Sequence, residues 1–96
     1  MKQADVPNLW LLFGAYFNQD WQIDQNSPPE NVRRFVENEP DSVSGARAEL
    51  DLLLTSRMTE EELHELIVRR LHSFYDPTLL GTPMRAWLEE VRKSLS

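Results

Sequence analysis

NLWLLFGAYFNQDW, residues 8 to 21, places Leu9, Leu12, Phe13, Tyr16 and Phe17 at successive steps of three or one. Those five positions share one face of an α-helix, because 3.6 residues per turn bring the chain back to the same side every third or fourth residue. Trp10 and Leu11 add apolar surface off that face. A helix apolar around so much of its circumference needs neighbours on more than one side, so this segment is expected at the centre of a helical packing. Residues 18 to 26 then read as a polar connection interrupted by Trp21 and Ile23.

Further along, three stretches carry helix-start chemistry: SPPE at 27 to 30, TEEE at 59 to 62 and TPMR at 82 to 85. Ser27 and Thr59 have the hydroxyl that accepts from an orphan backbone N–H, and Glu30 and Glu62 stand three residues on, where a carboxylate reaches back to close a capping box. Pro28 and Pro83 are expected at the first helical position, where a missing N–H costs nothing. Asp41 or Ser42, just after Pro40, is expected to cap another start. The apolar faces that follow are Val32, Phe35, Val36; Val43, Ala46, Leu50, Leu53, Leu54; Leu63, Leu66, Ile67, Leu71; and Met84, Trp87, Leu88, Val91, Leu95. All repeat at 3.6 and none at 2, which predicts an all-α chain forming a single small bundle of about five helices. Pro77 and Gly81 break the connection from His72 to Gly81.

A chain of 96 residues has room for one domain, expected over 1–96, with a radius of gyration of about 12 to 13 Å. It contains no cysteine, so disulfides and thiolate zinc sites are excluded. The opening MKQADVPNLW lacks the pattern of a signal peptide, and LWLLF at 9 to 13 is far short of a membrane span, so a soluble cytoplasmic protein is expected. The net charge of -6 argues against nucleic-acid binding, which depends on neutralising phosphates. Nine acids (Glu37, Glu39, Asp41, Glu49, Asp51, Glu60, Glu61, Glu62 and Glu65) gather between residues 37 and 65 against Arg47 and Arg57 alone. Residues 66 to 96 are mildly basic. An acidic middle of this kind suits a basic partner, although a solvated helix face accounts for it as well.

Motifs for catalysis fail one by one. His64-Glu65 begins a His-Glu-x-x-His zinc site, but position 68 is Val. Glu61 and His64 supply only half of a di-iron bundle site, so His64 is expected as a surface helix residue and His72 as a partner for terminal carbonyls. No serine has a Gly-x-Ser-x-Gly setting, and three scattered glycines, Gly14, Gly45 and Gly81, cannot build a phosphate loop. No enzyme activity, metal, cofactor or small-molecule substrate is expected.

GAYFNQDW, preceded by LWLLF, resembles the N-terminal hallmark of a family of contact-dependent growth inhibition immunity proteins. SPPENVRRFV is similar to that family's second helix, AELDLLL at 48 to 54 to its Glu-Leu-x-x-Leu-Leu segment, and MRAWLEEVRKSL at 84 to 95 to its closing Trp-Leu helix. The resemblance runs from Leu9 to Leu95. It departs at Asn18, where His is common, and at Gln22, where an acid is common. It implies a small helical cytoplasmic protein that binds and neutralises the C-terminal toxin domain delivered by neighbouring bacteria. The alternative is a helical adaptor binding another bacterial protein.

In the octet, Tyr16, Phe17 and Trp21 are expected to lock the end of the first helix into the bundle, Gly14 to permit close approach, and Asp20 to accept hydrogen bonds. Trp87 is the expected core anchor of the last helix. The nine acids are the candidate toxin-binding residues. Glu49, Asp51, Glu60, Glu61 and Glu65 lead among them, expected to stand in water off the leucine faces and to meet a basic surface, many such toxins being nucleases.

Overall fold

Pro7 opens the first helix, α1, Pro7–Tyr16. The computed structural model describes residues 5–19 and 27–95. Among these, α2 spans Pro28–Asn38, α3 Pro40–Thr55, α4 Glu60–His64 with a π-helical continuation over Glu65–Arg70, and α5 Met84–Ser94. A 3-10 turn, Pro77–Leu80, leads into α5, and no strand occurs among the described residues. The Cα radius of gyration is 12.1 Å.

The two capping boxes form as the sequence requires. Ser27 Oγ accepts from Glu30 N at 3.4 Å while Ser27 N donates to Glu30 Oε1 at 3.3 Å; the Thr59 and Glu62 distances are 3.1 and 3.0 Å. Hydrogen bonding from Thr59, its backbone N–H first and its side chain second, holds the Glu62 carboxyl below its ordinary pKa. Two expected starts differ. α3 begins at Pro40 itself, with Glu39 closing α2 and opening α3 at once, so neither Asp41 nor Ser42 caps it. Pro83 stands just before α5 rather than at its first position.

One core takes a side from every helix. Leu9, Leu12, Phe13 and Phe17 meet Val32 and Phe35, Ala46, Leu50 and Leu53, Leu63, Leu66, Ile67 and Leu71, and Met84, Trp87, Leu88, Val91 and Leu95, all buried. Val36, Val43 and Leu54 are half-buried against it. The π-helical stretch closes on a bond from Leu71 N to Leu66 O at 2.8 Å, after which His72 takes a left-handed φ of 61° and turns the chain sharply. That reversal carries Phe74 N to Phe17 O at 2.7 Å, fastening the connection to the end of α1.

Candidate protein-binding surface

The aromatic side chains at the end of α1 pack against those of α5 and the connection before it. Trp87 lies among Phe13, Phe17 and Tyr75 at ring-centroid distances of 5.3, 5.4 and 4.9 Å. Tyr16 meets Phe35 edge-on at 5.6 Å, and the buried Asn31 donates from Nδ2 to Tyr16 O at 2.7 Å. At Gly14 an added Cβ would sit 3.4 Å from Leu71 O, so the two backbones approach closely there. Asp20 and Trp21 lie outside the described residues.

The acids divide by work. Glu49 is half-buried and turned inward: Oε1 accepts from Asn8 N and Leu9 N, each at 3.0 Å, and Oε2 from the Asn8 side-chain amide. Val6, the residue before α1, has no capping side chain, so α3 supplies one. Glu49 therefore does not stand freely in water as its helical position suggests. Glu60 serves α5 in the same way, with Oε2 accepting from Met84 N at 2.8 Å and Oε1 from Arg85 N at 3.1 Å. Arg85 in turn reaches back to the end of α3 and the connection after it: Nη1 donates to Leu54 O at 2.8 Å and Nη2 to Met58 O at 2.9 Å. Periodicity missed these three caps across elements. The signal was a negative one, since neither Val6 nor Pro83 has a side chain able to cap the helix it precedes.

Asp51 is exposed and paired with Arg92 (Oδ1 to Nε 2.8 Å), and Glu62 is occupied by its capping box. Glu37 on α2 and Asp41 in the first turn of α3 are exposed, and Glu39 is half-buried at the junction between those helices. Glu61 and Glu65 are exposed on α4, Glu65 standing 3.7 Å from Arg70. Together with Glu60, His64, Arg69 and Thr78 they line an open depression of about 490 Å³. The structure thus brings Glu60, Glu61 and Glu65 together, while Glu37, Glu39, Asp41, Glu49 and Asp51 line no part of it.

His64 is more than a surface residue: its Nε2 lies 2.6 Å from Asp76 Oδ2, tying α4 to the connection before α5. Burial raises the Asp76 pKa, but the Thr78 hydroxyl, the His64 ring and the Thr78 amide together outweigh it and leave the carboxyl below its ordinary value. The His72 ring bonds no carbonyl among the described residues. It lines instead an apolar depression of about 510 Å³ with Pro7, Trp10, Leu11, Gly14 and Ala15. No three His, Asp or Glu side chains among the described residues gather as a metal ion requires, and no described helix is long and apolar enough to cross a membrane.

Residues 5–95 match the model of the family described as CdiI immunity protein. The chain belongs to that family. Comparison with curated proteins gives no match. Among solved structures, a chain in the crystal structure of a CdiA-CT/CdiI complex from Y. kristensenii 33638 superposes with a TM-score of 0.87 at 24% identity, covering 95% of this chain and 98% of that one. At that identity the likeness speaks for a shared helical fold, while the CdiI assignment rests on the match along nearly the whole sequence.

Proposed function

We propose that this CdiI-family chain is an immunity protein of one domain that acts in the cytoplasm, binding the C-terminal domain of its cognate toxin and blocking the toxin's active site or access to it. It acts by occupancy, breaks no bond and uses no cofactor or small-molecule substrate. Family membership along residues 5–95 is the observation that carries this reading. Two others support it: the structural relative occurs in a complex described as CdiA-CT/CdiI, and this chain exposes Glu61 and Glu65 around one open depression that also holds Glu60 and Arg69. A nuclease with a basic, phosphate-seeking cleft is the toxin that such a surface suits, because the acids would occupy the field that draws in the nucleic acid.

The test is co-purification of the chain with the C-terminal domain of the large reading frame beside its gene, together with growth of cells that express that domain. The pair should co-elute in equal amounts and the chain should restore growth. Separate elution with no rescue would sink the reading.

A further inference from the structure

Leu79 and Leu80 are 83% and 74% exposed, more than any other large apolar side chain among the described residues. They stand side by side in the Pro77–Leu80 turn, and Gly81, Thr82 and Pro83 after them are exposed too. The backbone beneath them is pinned from both ends. Pro77 is buried, Asp76 Oδ1 accepts from Thr78 N at 3.0 Å, and Asp76 Oδ2 meets His64 on α4. Gly81 takes a φ of 85°, open to glycine, which lets its N–H reach Thr78 O at 3.1 Å while Thr82 N reaches Pro77 O at 3.1 Å. Just beyond, Met84 N is held by Glu60. Two leucines are thus displayed on a hydrogen-bonded turn, and Thr78 just before them also lines the depression formed with Glu60, Glu61, His64, Glu65 and Arg69, three acids against one permanent cation.

We propose that this turn and the adjoining face of α4 form one docking surface, on which Leu79 and Leu80 are apolar anchors and Glu61 and Glu65 the charged rim. The occupant is a protein face that offers an apolar socket bordered by lysine or arginine. The proposal rests on the immunity reading and narrows it, moving the contact from the whole acidic middle of the chain to the edge between α4 and α5. Exposed apolar side chains beside an acidic border, carried on a turn already held by hydrogen bonds, leave little backbone ordering cost at association.

Other occupants fit less well. An anionic bilayer repels a chain of net charge -6, and nucleic acid does so more strongly. A second copy packed symmetrically through the same patch would bring two surfaces together that each carry Glu60, Glu61 and Glu65 against Arg69, and would offer the leucines no apolar socket.

The probe is the C-terminal domain of the reading frame beside the gene, with binding to the unaltered chain measured first. No binding there overturns the immunity reading, and this proposal falls with it. Given binding, the double variant Leu79→Ala, Leu80→Ala should dissociate roughly 10- to 100-fold faster, the loss expected for removing central anchors. Its melting temperature, helical signal and the salt dependence of its association rate should be unchanged. Dissociation at the native rate overturns the docking surface and leaves the immunity reading standing.

A second measurement uses the absence of cysteine from the chain, which makes any introduced thiol unique. Leu79→Cys should react rapidly with a maleimide when free and at least about tenfold more slowly in the complex, because the thiol is then excluded from water. Leu52→Cys, at a site 53% exposed on α3, should react equally in both states. Protection of Leu52→Cys in place of Leu79→Cys overturns the proposal in favour of α3. Protection of Leu79→Cys that grows with the chain's own concentration, without the toxin domain, overturns it in favour of a second copy.

Discussion

At the seam between α1 and α3 a carboxylate turns inward, whereas at the edge of α4 two carboxylates remain in water. Glu49 gives both oxygens to the first turn of α1, and Glu60 gives both of its oxygens to the first turn of α5. Glu61, next to Glu60 in sequence, and Glu65, one turn beyond, line the same depression as Glu60 but cap no helix start. The distinction follows from the helix starts each acid faces. An N-terminus without a local cap leaves donors that must be satisfied, and the nearest carboxylate on a neighbouring helix is drawn to them by hydrogen bonding and by the helix dipole. Charge counted along a sequence therefore overstates charge available to a partner.

The interior side of this comparison breaks hardest at Trp87. Replacing it with Ala empties a site bounded by Phe13, Phe17 and Tyr75, and should lower stability by about 3 to 5 kcal/mol in urea unfolding at neutral pH. A loss under about 1 kcal/mol would mean that the rings close over the gap and that the joint is not the centre of the fold.

Next in size is the Glu49 cap. Glu49→Ala would strand the Asn8 and Leu9 amides at a half-buried helix start, with an expected cost of about 1 to 3 kcal/mol, and Glu49→Gln, which keeps an acceptor, should cost about half as much. Glu61→Ala, by contrast, should stay within about 0.5 kcal/mol of the native protein, as surface changes do. Equal losses for Glu49→Ala and Glu61→Ala would dissolve the distinction between inward and outward acids.

How far such roles are legible depends on their range in the chain. The apolar faces were readable because 3.6-residue periodicity is local: Leu9, Leu12, Phe13 and Phe17, and likewise Met84, Trp87, Leu88, Val91 and Leu95, are buried as their spacing demands. Ser27 and Thr59 were readable for the same reason, since a capping box is complete within four residues. Glu49 serves an amide 41 positions away and Glu60 one 24 positions away, so no window of sequence contains both partners. The π-helical turns of Glu65–Arg70 and the left-handed His72 were equally hidden, being products of how the chain returns to Phe17.

The edge has its own tether, and acid should loosen it. Because Asp76 is held below its ordinary pKa in the folded protein, its contribution is fully present above the unfolded value and is lost as pH falls through the folded one. Urea midpoints followed from pH 6 down to 3 should fall more steeply for the native protein than for Asp76→Asn, by an amount smaller than the Glu49 effect. Parallel curves would mean that the Asp76 contacts with His64 and Thr78 do not persist in solution.

The smallest expected effect concerns Asp51, which sits between the two behaviours. It is 54% exposed yet bonded across to Arg92, itself 31% exposed, at 2.8 Å. Such an exposed pair is worth roughly 0.2 to 1 kcal/mol, because water screens it and the long Arg92 side chain must be ordered to form it. Asp51→Asn should therefore lower stability by less than about 1 kcal/mol in dilute buffer, and the difference should fade in about 1 M salt, where the Debye length shrinks to about 3 Å. The same variant also separates the two faces in function. With docking at α4 and the Leu79–Leu80 turn, removing one charge from α3 should leave the rate of association with the toxin domain within about twofold of native, because long-range steering responds only weakly to a rim charge already paired within the protein. A larger slowing, with stability preserved, would place α3 in the contact and extend the partner's footprint past Arg92.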